Sequence, residues 1–246
     1  MKKTQTIFQD GTHKWVAIVR DPERPDSLID TNEYLVANGV QGLILDPGGA
    51  EIFPAVFSAL AAEFDPSAVV GLFASHQDPD IISSLAMWLE FNPKMHCYTS
   101  WLWESFIPHF GGTSDTFVPI PDEGMEIGLN GLTLTAVPAH YLHSSGNFHL
   151  YDRQARMYFS GDVGAALLPP GEAGLFVEDF VRHIKHAEGF HRRWMGSNEA
   201  KRRWCERVAQ MEIDMLCPQH GAIYQGADVQ RFINWFDELQ VGILRG

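Results

Sequence analysis

His76, Asp78 and Asp80 stand at alternate positions in the stretch GLFASHQDPDI, where an apolar run gives way to Pro79 and a helical pattern. Alternate side chains of an extended turn point to the same side, so an imidazole and two carboxylates face one way. Such a group either caps and solvates a turn or holds a metal ion. Three more residues of the same kind follow: His143 after LTLTAVPA, Asp162 in MYFSGD, and His220 after IDMLCPQ. Each stands where an apolar run ends. In layered α/β proteins the strand ends form the crevice in which sites are built, so these residues are expected to converge. Imidazoles and carboxylates in equal number suit two adjacent ions, with Asp162 free to bridge them.

Each residue also has a plainer reading. Asp80 could be the N-cap of a helix starting at Ile81. His76 could be a hydrogen-bonded histidine, Asp162 a turn residue among the glycines of SGDVG, and His220 the cap of a last strand. Taken singly, those readings are preferable. The recurrence of a His or Asp at several strand ends favours the metal.

The elements that must position these residues alternate along the chain. HKWVAIVRD, SLIDTNEYLVAN and VQGLILDPGG read as early strands, the last stopped by Pro47, Gly48 and Gly49. EIFPAVFSALAAEF reads as a helix with Pro54 in its first turn, AVVGLFAS as a buried strand and IISSLAMWLEFN as a helix. HCYTSWLWESFIPHF predicts a short strand and a short helix. GLTLTAVPA and HLYDRQARMYFSGD are strands, the second a hairpin. Gly174 to Met211 is helical in character, IDMLCPQHG a last strand and DVQRFINWFDELQ a last helix. No repeat or long linker interrupts the 246 residues, so one domain over 1–246 is the simplest expectation.

Composition narrows the partners. A net charge of −13 disfavours a broad phosphate-binding surface, so nucleic acid is not expected. Cys97, Cys205 and Cys217 form no CxxC pair and fit a reducing cytoplasm as small buried hydrophobes. The N-terminal MKKTQTIFQDGTHKW is interrupted by polar residues, which argues against a signal peptide, and no run is long enough for a membrane span.

The ordered ligand set resembles the metallo-β-lactamase superfamily, with its HxHxDH signature, a later His, a bridging Asp and a final His. Here the signature reads HQDPDI, with Asp78 where a zinc hydrolase carries its second His. A carboxylate there is the flavodiiron pattern, HxExDH. PAHYLHSSGNFHLYD, MYFSGDVG, FHRRWMGSNEAKRRW and CPQHGAIY look closest to the flavodiiron-like oxygen-binding diiron proteins, over most of the chain. The resemblance implies an α/β architecture, an αββα sandwich of metallo-β-lactamase type. It implies one iron on His76, Asp78 and His143, a second on Asp80 and His220, and Asp162 between them. Mixed imidazole and carboxylate ligation suits non-haem iron, with zinc the other option. Two departures stand out: Asp78 is one methylene shorter than the usual Glu, and Ile81 replaces the final His of the signature, leaving the second iron with a more open coordination. His140, three residues before His143, is assigned a supporting role.

A flavodiiron reductase also carries a flavodoxin-like domain with FMN. The ligand pattern reaches His220 with little chain beyond it, so neither that domain nor bound FMN is expected. Dioxygen or another small diatomic is the expected ligand, for sensing or for reduction with an external donor. A separate redox or signalling protein is the expected partner, and the oligomeric state is left open, a homodimer included. The competing class is a dinuclear metal-dependent hydrolase. CYTSWLWESF with Trp88 is read as core packing or as a wall of the metal pocket. The basic stretch from Arg182 to Arg207 is read as a docking face for an acidic partner or as solvated helix faces.

Overall fold

The computed structural model describes residues 2–243 except 22, 26, 27 and 173. One sheet holds, in spatial order, β1 (Lys3–Asp10), β2 (His13–Val19), β3 (Glu33–Asn38), β4 (Gln41–Leu45), β5 (Val69–Phe73), β6 (His96–Ser100) and β7 (Phe117–Ile120). Its first four strands are an antiparallel meander, and β4 to β7 run parallel. The other sheet contains β8 (Met125–Leu129), β9 (Leu132–Pro138), β10 (Phe148–Asp152), β11 (Met157–Gly161), β12 (Met215–Pro218) and β13 (Tyr224–Gln225), with β13 and β8 at its edges. The helices are α1 (Phe53–Glu63), α2 (Pro79–Ile82), α3 (Leu85–Phe91), α4 (Phe180–Trp194), α5 (Asn198–Val208) and α6 (Ala227–Glu238).

Strand alternation builds the layers. In β2, Trp15 and Ala17 pack between the sheets, while Val16 and Ile18 pack under the helical layer that includes Val56, Leu85 and Trp88. In β3, Tyr34 and Val36 face the inter-sheet core, and Leu35 and Ala37 face the helices. The second sheet does the same: Met157 and Phe159 of β11 enter the inter-sheet core, while Tyr158 joins Trp204 and Phe236 beneath α5 and α6. Strands buried on both faces need a layer on each side, and the result is the expected αββα sandwich. Among the described residues no helix is long and apolar enough to cross a membrane.

The differences from the sequence reading have local causes. IISSLAMWLEFN is not one helix but α2 and α3, broken at Ser83 and Ser84. Ser84 donates its hydroxyl to the Gly48 carbonyl at 2.7 Å, and Ser83 Oγ accepts from the Ala50 amide, so both serines tie the segment to the loop after β4. SLIDTNEYLVAN is strand only from Glu33; Ser27 lies outside the described residues. The helix predicted in HCYTSWLWESFIPHF is two turns of 3-10 helix, Trp101–Trp103 and Ile107–Phe110. β1, β7, β8 and β13 were not predicted. β1 is a polar edge strand whose pairing with β2 supplies order that its own pattern does not advertise.

A buried carboxylate staples the two sheets. Asp152 Oδ2 accepts from His13 Nε2 and Trp15 Nε1, both at 2.7 Å, and its Oδ1 accepts from the Gln154 and Ala155 amides. Asp152→Ala strands the His13 and Trp15 donors in the core, and the expected cost is roughly 2–4 kcal/mol. Urea unfolding checks this: the midpoint should fall at unchanged slope.

Candidate metal centre

Each strand end that carries a candidate ligand is held by the backbone and side chains around it. After β5, Ser75 donates its amide to Asp46 Oδ1 at 2.7 Å and its hydroxyl to Asp46 Oδ2 at 2.8 Å. The same hydroxyl oxygen lies 2.9 Å from His76 Nδ1. Its one proton being taken by Asp46, it accepts from His76 Nδ1–H, which leaves the Nε2 lone pair free for a cation. His220 is set the same way, its Nδ1–H donating to the Asp30 carbonyl at 2.8 Å. Asn32 clamps that loop, donating its amide to the Gln219 carbonyl at 2.6 Å and its side chain to Gly221 at 2.9 Å.

The turn bearing Asp162 is fixed from two sides. Gly161 has φ of +50° and sits where a Cβ would come within 2.9 Å of Ser75 Oγ, so glycine lets β11 close on the His76 turn. Across the turn, the Gly164 amide donates to His191 Nε2 at 3.0 Å, and His191 Nδ1–H donates to the Ala187 carbonyl. That accepting role requires a neutral ring, and burial pulls the His191 pKa down to about 4.

The six side chains come together in two groups. Nε2 of His143 is 3.2 Å from Nε2 of His76 and 3.1 Å from Asp78 Oδ2, and the ligand atoms of these three residues lie within 4.8 Å of one another. Asp80 Oδ2 is 3.4 Å from His220 Nε2. Asp162 stands between: its Oδ2 is 3.3 Å from His143 Nε2 and 3.7 Å from His76 Nε2, while its Oδ1 is 3.3 Å from His220 Nε2. Asp162 Oδ1 is buried without an aligned hydrogen bond. Two imidazole nitrogens facing each other beside one oxygen of a buried carboxylate whose other oxygen no hydrogen bond serves are a donor set that a cation completes.

The capping alternative does not hold. Asp80 is within the first turn of α2 and is not its N-cap; Asp78 is, and Asp78 makes no side-chain cap bond. Asp78 is instead held through Gln77, whose amide donates to Asp78 Oδ1 at 3.1 Å and whose carbonyl accepts from Ser144 at 2.8 Å. His140 stays outside the cluster, within 2.9 Å of the Asp122 carbonyl and edge-on to Phe148. Ile81 is fully buried in the apolar layer with Val56, Leu85 and Trp88.

Charge ties the cluster together. Burial works to lower the His76 pKa, but Asp162, Asp78 and Asp46 outweigh it and lift the imidazole to about 9. His220 rises to about 9 in the same way, burial being overcome by Asp162 and Asp80. Asp78 and Asp162 are pulled below the usual carboxylate range, against burial: Asp78 by hydrogen bonds and charge from His143 and His76, Asp162 by the charge of the surrounding imidazoles, His76 first. Burial raises Asp80, which His220 only partly offsets.

Of the two readings of the aromatic stretch, core packing holds for Trp88, and other aromatics line the cluster. Trp88 packs on Phe53 and Phe57 in the helical layer, and Trp101 is half-exposed with its Nε1 donating to Asp122. Phe190 and Trp194 of α4 stand beside His143 instead, Trp194 edge-on at 5.2 Å and stacked on Phe190. Both lie at helical spacing in FHRRW, a pattern that also describes ordinary core packing. The basic stretch is largely engaged within the chain: Arg182 pairs with Glu172, Arg192 with Glu188 and Arg203 with Glu199. Arg207 donates to the Pro138 carbonyl, and Lys201 is buried over the end of α6.

Paired sheets between helical layers, with histidines and aspartates gathered at the strand ends, define a protein of the metallo-β-lactamase fold. Residues 29–221 match the family described as ODP family beta lactamase. The chain belongs to that family. It is 38% identical to the chemotaxis sensor ODP from T. denticola in its apo state, with a TM-score of 0.88 over 98% of this chain and 96% of that one. A structure described as the peroxy diiron species of chemotaxis sensor ODP is also 38% identical, with a TM-score of 0.87 over the same shares. A variant of the flavo di-iron protein from Thermotoga maritima is 22% identical, with a TM-score of 0.80 over 96% of this chain and 61% of that one, a likeness of fold. No curated protein matches the chain.

Proposed function

We propose that the chain is a non-haem diiron protein that binds dioxygen and serves as an oxygen sensor. The observation that carries this reading is the split of Asp162, whose two carboxylate oxygens each stand 3.3 Å from the imidazole of a different half-site. His76, Asp78 and His143 would hold one iron, Asp80 and His220 the other, and Asp162 both. The half-sites are unequal: Ile81 lies in the apolar layer, so the Asp80 and His220 side offers fewer protein donors, and an ion there would keep a position for a small diatomic. Two ferrous ions would supply open positions and electrons to dioxygen. The protein's own part is to orient the imidazoles through Ser75 and the Asp30 carbonyl, and to shield His143 from water with Phe190 and Trp194.

Sensing is inferred from the relatives described as chemotaxis sensor ODP. A reducing compartment such as the cytoplasm suits three free, buried cysteines. The hydrolase alternative is less favoured because carboxylate-rich ligation lowers the charge of the site and weakens Lewis acidity toward a carbonyl. Protein loaded anaerobically with ferrous iron should retain roughly two irons per chain. Rapid mixing with oxygenated buffer should develop a visible absorption band, while chromogenic esters and thioesters are turned over poorly. Retention of zinc to the exclusion of iron, or fast metal-dependent ester hydrolysis with no oxygen-linked spectral change, would reverse the reading.

A further inference from the structure

Gln219 stands between the end of β12 and His220, fully buried, and it reaches three other segments. Its backbone amide donates to the Gly161 carbonyl at 2.7 Å, next to Asp162, and its own carbonyl accepts from the Asn32 amide. The third contact is made by the side chain, whose Nε2 donates to the backbone carbonyl of Asp80 at 3.0 Å.

That carbonyl is free because of the way α2 ends. In a continuing helix it would accept from the amide four residues on, that of Ser84. The Ser84 amide donates to the Gly48 carbonyl instead, and the Ser83 amide closes on Pro79. The break between α2 and α3 therefore leaves an acceptor on Asp80 that Gln219 serves. A carbonyl only accepts, so this bond fixes which end of the Gln219 amide faces Asp80. The other end, Oε1, is buried with no donor among the described residues. An unserved buried oxygen weakens a fold, so general stability does not account for a glutamine here.

We propose that Gln219 is a positioning residue of the second half-site. Its side-chain hydrogen bond holds the turn of α2 against the end of β12 and so keeps the Asp80 carboxylate beside the His220 imidazole. The inference rests on the diiron reading. Asp78 has Gln77 on its own carboxylate, whereas the Asp80 carboxylate is paired with His220 itself, 3.4 Å away, and takes its place from the backbone that carries it. With Ile81 in the apolar layer, a displaced Asp80 would leave this half-site only His220 and its share of Asp162.

The test is anaerobic ferrous loading followed by a competing ferrous chelator, with iron and protein measured on each sample. Gln219→Met keeps the length of the side chain but cannot donate, and Gln219→Asn stays polar but falls one methylene short of the Asp80 carbonyl. At a chelator concentration the parent withstands, both should drop from roughly two irons per chain to roughly one. In a His76→Ala background, where the remaining iron sits with Asp80 and His220, both should weaken retention about tenfold. In a His220→Ala background they should leave it within about twofold. Far-UV circular dichroism should match the parent, because Gln219→Met removes the unserved Oε1 together with the bond. Unchanged retention in the otherwise native chain, equal losses in the two backgrounds, or failure of both variants to fold overturns the positioning role alone. A parent that retains no iron overturns the diiron reading, and this inference falls with it.

Discussion

Asp162→Ala is expected to take the metal content from roughly two irons per chain to near zero, a larger loss than any other single ligand change produces. Both oxygens of this carboxylate are committed, Oδ2 toward His143 and His76 and Oδ1 toward His220. Removing it deletes a donor from each half-site and also the anion that offsets two adjacent cations. His76→Ala, by contrast, should empty the first half-site preferentially, because Asp80 and His220 do not depend on it. Asp162→Asn is the informative intermediate: it preserves the shape and one neutral oxygen donor, so partial occupancy is expected. Iron and protein are quantified on the same anaerobically loaded samples, with far-UV circular dichroism as the control for folding. An Asp162→Ala protein that still holds both irons would show that this carboxylate does not bridge.

The metal-free protein should lose stability as pH rises from about 6.5 to about 9, with its melting temperature falling across that interval, whereas the iron-loaded protein should not. His76 and His220 have folded values near 9 against 6.5 for the free imidazole. A raised value means stability that is complete below about 6.5 and disappears as pH climbs through about 9. Asp46, lifted to about 7 by burial, acts in the same direction. Below about 6.5 it is opposed by His149, His183 and His191, whose burial lowers them to about 3 to about 4, so that their neutral folded forms gain stability with rising pH. Asp78 and Asp162 are depressed, so their contribution is present above about 4 and is lost only in acid. Iron reverses the dependence, because it takes the Nε2 positions that protons hold in its absence and so binds more tightly as pH rises. Melting curves of both forms at pH 5, 7 and 9 decide the matter. Parallel pH dependence in the two forms would mean that protons and metal do not compete for these nitrogens.

Much of this was readable from residue order alone. The metal hypothesis needed only that His76, Asp78, Asp80, His143, Asp162 and His220 each follow an apolar run, since strand ends in layered folds open on a shared crevice. Burial of β5 and β11 was readable in the apolar runs VVGLF and MYFSG, while the αββα layering entered through the family resemblance. Tertiary structure decided what depends on contacts between distant segments. The pairing of Asp80 with His220, and of Asp78 with His143, entered the sequence reading only through the family resemblance; it spans much of the chain and follows from sheet order, which no local pattern encodes. The same holds for the supports. Asp46 beneath Ser75, Asn32 around the His220 loop and His191 under the Asp162 turn are unremarkable in sequence, and acquire roles only when the elements pack. Capping is a local competition, and by its local signal Asp80 read as an N-cap; a helix that begins at Pro79 puts the cap on Asp78 and leaves both carboxylates facing the crevice. Side-chain type and spacing therefore determined which chemistry this chain can hold. Long-range packing determined which candidate donors stand together and which residues hold them in place, because those are distances between strands rather than along one.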